Sequence, residues 1–302
     1  MGHIIINALT LFVIIFSGWF VKRIGLLSKA DGGTLSQIIV NVTLPAVIIV
    51  NLSRLEFSGT LLLLIPGAVL VTFLQILLGK LAAAKNPVQD QLFLMYGVSG
   101  FNIGNFTLPF VQSFFSAGIP PLSVFDIGNS IMLAGGTTVA IDGLTGRSER
   151  VSVLVILKKL LRTPPFTCYL LMLLFRLLQV ALPEGFLSVL APVAGANTFL
   201  SMFMIGLYLE LRLPRSSLGL VLKVLLTRYI IGGGLLLAVL LLPIPRSLKM
   251  ILCLLAVTPI PLFSVINSVA AGVKEEIVGF SSSVSFLLSL LLMTIIVGVF
   301  GV

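Results

Sequence analysis

The side chains able to do chemistry in this sequence fall into three small groups, all inside long apolar runs. The first is Ser99 to Pro109, where Asn102, Gly104, Asn105, Thr107 and Pro109 interrupt a hydrophobic segment running from about Gln89 to Phe115. The second is Thr258-Pro259-Ile260-Pro261-Leu262, followed by Ser264 and Asn267. The third is Asp126 with Asn129, the one carboxylate clearly inside an apolar segment. Two glycines, two asparagines and a proline between Ser99 and Pro109 break a helix there. A broken helix exposes N–H groups where its second half starts and carbonyls where its first half ends. The N–H end carries about half a positive charge and favours anions. Asn102, Asn105 and Asn267 add amide donors and acceptors. Thr107 is expected to cap one second half, with Pro109 in its first turn, and Pro261 with Ser264 does the same in the other. The chemistry on offer is capture of an anion; the competing role for each asparagine is to satisfy backbone freed by the break.

Covalent chemistry is poorly supported. The single histidine, His3, stands at the extreme N-terminus. That leaves no histidine-ligated metal site and no Ser/His/Asp triad. Cys168 and Cys253 lie in apolar runs and suggest no disulfide framework. Neither an enzyme nor a cofactor is implied.

The elements that must position these groups are membrane helices. Hydrophobic residues make up 58% of the 302 and charged residues only 10%. Mean hydropathy is +1.20, against about 25% charge in an ordinary soluble domain. Runs of roughly 20 apolar residues give ten candidate spans, near 4–21, 34–52, 59–83, 90–115, 121–145, 164–182, 187–210, 219–242, 247–271 and 276–300. The first run is long enough to span, so no cleavable signal peptide is expected. In lipid every backbone polar group needs an internal partner, so unwound backbone is tolerated only when packed in protein or lining a wet cavity. Matched breaks in spans four and nine point to a transporter-type binding site.

The net charge of +9 could suit nucleic acid, but its distribution reads as the positive-inside rule. Fourteen cations, among them Lys22, Lys85, Arg147, Arg150, Lys158, Arg212, Arg215 and Lys274, fall on one side, against Arg54, Arg176, Arg246 and Lys249 on the other. The richer side is read as cytoplasmic. Both termini then lie outside, on the periplasmic face of a cell inner membrane. Arg228, in span eight, is read as snorkelling to the cytoplasmic interface, and Asp142 as interfacial. The chain divides into a five-helix repeat (1–147), a linker (148–163) and a second five-helix repeat (164–302). Five is odd, so related halves are inverted. Their layout agrees: Asn105 is 15 residues after Asp90, and Pro261 is 15 after Arg246. The linker places Val151, Leu154, Leu157 and Leu161 at helical spacing, which suits either an interfacial amphipathic helix or an extension of span six.

With these residues in view, the chain resembles the auxin efflux carrier family, which includes plant auxin exporters and many bacterial carriers. The likeness rests on Leu44-Pro45-Ala46, on Gly104-Asn105-Phe106-Thr107-Leu108-Pro109, and on Phe125-Asp126-Ile127-Gly128-Asn129, similar to the family's Tyr-Asp-x-Gly-Asn. Pro164-Pro165 and the stretch from Pro259 through Asn267 to Glu276 also fit. The resemblance implies an all-α polytopic protein of ten transmembrane helices, with a scaffold and a transport domain. It also implies broken helices four and nine crossing at the membrane centre, as in the bile acid sodium symporters. The expected function is a secondary carrier that moves a small organic anion, such as a carboxylate, by alternating access. The alternative is a sensor or scaffold that binds without translocating. Asn41 and Pro45 of span two are expected to border the site. Asp126 with Asn129 serves either proton coupling or core organisation, since an intramembrane carboxylate is costly. No Asp or Glu adjoins either break in sequence, which favours protons or uniport over sodium. Expected partners are the anion, protons and the bilayer, with no nucleic acid and a homodimer allowed.

Overall fold

The computed structural model describes residues 2–53, 59–146, 152–212 and 217–301, and among these every regular element is helical. In chain order they are α1 (Gly2–Arg23), α2 (Lys29–Leu52), α3 (Gly59–Ala83), α4 (Val88–Val98), α5 (103–114) and α6 (Ser116–Thr145). Then come α7 (Val153–Leu161), α8 (Pro164–Leu177), α9 (Glu184–Tyr208), α10 (Leu218–Leu241), α11 (Arg246–Ala256), α12 (Leu262–Ala270) and α13 (Glu275–Phe300). Seven of these, α1, α2, α3, α6, α9, α10 and α13, are long and apolar enough to cross a bilayer. The pair α7 and α8 would make an eighth, bent by 82°. Over each of the expected fourth and ninth spans the chain forms two shorter helices, α4 and α5 in one and α11 and α12 in the other. Helices α4 and α11 have 11 residues each, and at 1.5 Å per residue that is roughly half the hydrocarbon core.

The split helices share a design. Each first half follows a proline held outside helical geometry, Pro87 before α4 and Pro245 before α11. Each is followed by a few unwound residues, 99–102 and 257–261. Two wide π-type turns, Ile39–Thr43 and Ile103–Thr107, each run directly into a Leu-Pro pair, Leu44-Pro45 and Leu108-Pro109. The cause is the same in both: a proline removes one N–H and clashes with the carbonyl four residues back, and widening the turn relieves the clash.

Small residues set the helix spacing. A side chain on Gly18 or Gly206 would collide with backbone of the facing helix, so α1 and α9 pack main chain to main chain. Between α2 and α9, the Thr43 hydroxyl donates to Asn197 Oδ1 at 2.9 Å. The linker helix α7 is separated from α8 by a bend of 82°. Its exposed face carries Val153, Leu154, Val155, Leu157 and Leu161. Ser152 caps its start, accepting from the Leu154 N–H at 3.3 Å. The readings that rest on Arg54, Arg147, Arg150, Val151 and Arg215 lie outside the described residues. Asp142, expected at the interface, is buried at 6% exposure because it faces the packed side of α6.

Candidate functional site

At the first break the chain leaves the helix at Ser99 in extended geometry (φ −97, ψ 153) and turns at Gly100, whose φ of +74 is one that side chains resist. The freed backbone groups find side chains. Gly100 N–H donates to Gln75 Oε1 at 2.9 Å. Asn129 pairs with both polar groups of Phe101: its Oδ1 accepts from Phe101 N–H at 3.2 Å, and its Nδ2 donates to Phe101 O at 3.0 Å. Nδ2 also donates to Asp126 Oδ1 at 2.8 Å, and the Tyr169 hydroxyl donates to Asp126 Oδ2 at 2.9 Å. Asp126 thus orients Asn129, and Asn129 holds the break. The sequence shows no acid beside either break, yet the fold brings Asp126 there from α6.

The second break lies against the first. Asn102 Nδ2 donates to Ile260 O at 3.2 Å, and Ile260 N–H donates to Ser285 Oγ of α13 at 3.1 Å. Asn102 O accepts both the Thr107 N–H and the Thr107 hydroxyl, each at 3.0 Å. This corrects the expected cap. Helical geometry restarts at Ile103, so Thr107 sits inside the helix and bonds back to Asn102. Ser264 makes no cap either; its buried hydroxyl has no partner.

Arg228 is the largest departure from the sequence reading. It is 5% exposed and does not reach the interface. Its Nε and Nη2 donate to Thr258 O at 3.0 and 2.9 Å. Nη1 donates to Gly97 O at 2.9 Å, and Nη2 also to Gly100 O at 3.0 Å and Pro259 O at 2.8 Å. The guanidinium therefore ties the carbonyl ends of both first halves together. It cannot snorkel because it stands mid-helix in α10, where the nearest acceptors are these carbonyls. That central position was the available signal. Gln75 and Tyr169, polar groups in apolar spans, were also passed over.

A cavity of ≈450 Å³ opens beside the breaks, lined by Lys29, Ser36, Asn105, Tyr208, Leu262 and Ser282 among others. Asn105 belongs to the first turn of α5 and Leu262 is the first residue of α12, so the cavity touches the N–H end of both second halves. Asn105 Oδ1 and the Ser282 hydroxyl are buried and without partners. At the rim Lys29 pairs with Glu275 at 2.6 Å and more loosely with Glu210 at 3.9 Å, while Lys22 lies 3.6 Å from Glu210. A second cavity of ≈570 Å³, lined by Asn51, Ser116, Glu184 and Ser188 among others, lies at the opposite ends of α2 and α9. Between the two, Gln112 Nε2 donates to Ala194 O at 3.0 Å and Thr198 donates to Gln112 Oε1 at 3.1 Å.

Of the expected site residues, Asn102, Gly104, Asn105, Thr107, Pro259 and Pro261 gather at the paired breaks. Pro109 follows one turn on, and Pro45 adjoins through Leu44, which packs against Gly104. Asn41 does not: it is exposed and bonds Gln37 of its own helix. Although only four residues before the buried Pro45, Asn41 falls on the exposed side of α2. Asn267 donates to Phe263 O within α12, well past the helix start.

Residues 3–298 match the family model described as "Membrane transport protein". An "Uncharacterized transporter" of Methanothermobacter thermautotrophicus is 27% identical over 217 residues, 70% of each chain. A match over nearly the whole length, on a chain with paired helix breaks, assigns this multi-pass membrane protein to the auxin efflux carrier family of membrane transport proteins.

Proposed function

We propose that the protein is a secondary carrier, not an enzyme, that moves a small organic anion across the cell inner membrane by alternating access. The observation that carries this reading is the ≈450 Å³ cavity ending on the first turns of both α5 and α12. Two helix N-termini converge there, each with about half a positive charge. The unpartnered Asn105 amide oxygen supplies an acceptor for a hydroxyl or a protonated carboxyl. Gly104, Thr107, Pro109, Pro259, Pro261, Ser264 and Pro45 stand behind the cavity lining, in and beside the breaks that present its helix ends; Asn102 ties the breaks together, and Asn267 stands farther along α12.

On this reading α4 with α5, and α11 with α12, each form one broken span. Together with α8 and the seven long helices they make ten, arranged as inverted repeats over 1–147 and 164–302 around the linker 148–163. The matched 11-residue first halves support that arrangement. The rim, where Lys22 and Lys29 pair with Glu210 and Glu275, faces the cytoplasm. Protons, through Asp126, are the coupling ion. Purified protein in liposomes is to take up a radiolabelled small dicarboxylate against its gradient when a pH gradient is imposed. Binding by thermal shift with no flux would instead make it a sensor.

A further inference from the structure

The carbonyl cluster at the two breaks needs explaining apart from any substrate. Gly97 O lies in the last turn of α4 and Gly100 O in the unwound residues that follow it, and Thr258 O and Pro259 O lie in the unwound residues that follow α11. A helix C-terminus carries about half a negative charge. Two such ends meeting in a dry interior sum to about one negative charge, and bare carbonyls there are costly to leave unpaired. Transporters with discontinuous helices commonly meet that cost by coordinating sodium or a proton carrier on unwound carbonyls. Here a side chain already fills the position.

We propose that the Arg228 guanidinium replaces an inorganic cation at the crossing, so that the two broken helices are held together without bound sodium or potassium. The match is one of charge and of shape. One fixed positive charge meets two half-charges, and the planar fork, five N–H donors and no acceptor, reaches carbonyls from both helices at once. A lysine has the charge but only three donors on a single nitrogen. Because Arg228 stands on α10 and the carbonyls on two other chain segments, the guanidinium also makes α10 and both breaks one rigid unit. This inference rests on the packing of the breaks alone. Failure of anion flux would remove the carrier reading and leave it standing.

The test is thermal unfolding of the purified protein in detergent at constant ionic strength. The wild-type Tm is to be the same in sodium, potassium and N-methylglucamine chlorides. Arg228→Ala is to lose several degrees, and low concentrations of guanidinium chloride are to restore much of the loss. Urea, the same planar shape without charge, is to restore none. A wild-type Tm that rises when sodium replaces N-methylglucamine overturns the proposal. So does an unchanged Tm in Arg228→Ala, rescue by urea equal to that by guanidinium, or no rescue by guanidinium. Should Arg228→Ala yield no folded protein, Arg228→Lys and Arg228→Gln carry the comparison. The cationic variant is to melt higher, and an equal or lower Tm than Gln overturns the idea.

Discussion

Among single residues, Asn105 and Asn102 separate two roles that sequence leaves merged. Asn102 spends its amide on Ile260 O and its carbonyl on Thr107, so it is committed to the fold. Asn105 keeps a buried oxygen without a partner beside the cavity. Losing one hydrogen bond from a ligand hydroxyl or protonated carboxyl costs about 0.5–1.5 kcal/mol, roughly two- to tenfold in Kd. Asn105→Ala is expected to weaken carboxylate binding by that factor in titration calorimetry, with the Tm little changed. Asn41→Ala, exposed on α2, is expected to leave the Kd alone; equal losses in both variants would move the site off the breaks. Asp126 is bonded to Asn129 and Tyr169, so Asp126→Asn tests a function beyond support. It is expected to fold and to exchange substrate in counterflow while losing uptake driven by a pH gradient. Unchanged driven uptake would leave Asp126 as the holder of Asn129. The asparagines and Asp126 were legible because polar groups are costly in lipid. Their partners were not, since Gln75, Tyr169 and Ile260 come from distant spans and no spacing rule links them.

The helices were legible from their apolar runs, and their breaks from clustered Gly, Asn and Pro. The wide turns were not, although the sequence holds a sign of them. Ile39-Val-Asn-Val-Thr-Leu-Pro45 and Ile103-Gly-Asn-Phe-Thr-Leu-Pro109 share the pattern Ile-x-Asn-x-Thr-Leu-Pro, and both form the same widened turn. One copy turns its asparagine out and the other toward the cavity, because the neighbours of α2 and α5 differ. Gly128 and Gly232 each face the backbone of a neighbouring helix, whereas Gly233 and Gly234 face open space. At the rim, Lys29 and Glu275 join α2 to α13 across the cavity mouth. Exposed ion pairs contribute at most about 1 kcal/mol, so losing this one costs little stability. Glu275→Gln is therefore expected to leave the Tm nearly unchanged and to speed thiol labelling of a cysteine placed at Ser36. Slower or unchanged labelling would show that the pair does not restrict the mouth.

For the whole molecule, the two cavities define an axis. Lys29, Ser36 and Tyr208 line one, at the N-terminal end of α2 and the C-terminal end of α9; Asn51 and Glu184 line the other, at the reverse ends of the same helices. Across the middle of the bundle, Gln112 of α5 bonds Ala194 and Thr198 of α9. The positive-inside rule gives the expected orientation, with the Ser36 cavity on the cytoplasmic side: Lys29 lines that cavity and Lys22 and Arg212 lie beside its partner Glu210, while Ser116 borders the other cavity. Translocation leaves Lys and Arg on the cytoplasmic side, since carrying them through the bilayer is opposed by both desolvation and the membrane potential. Cysteines introduced at Ser36, Lys85 and Arg212 should therefore be shielded from a membrane-impermeant maleimide in intact cells and labelled in inside-out vesicles. A cysteine at Ser116 should label in intact cells. Labelling of Ser116 only in inside-out vesicles would reverse the orientation. Labelling of Lys85 and Ser116 from the same side would be worse, because α4, α5 and the break between them separate the two positions. They could share a side only if that broken helix pair did not cross the membrane, and the ten-span arrangement would go with it.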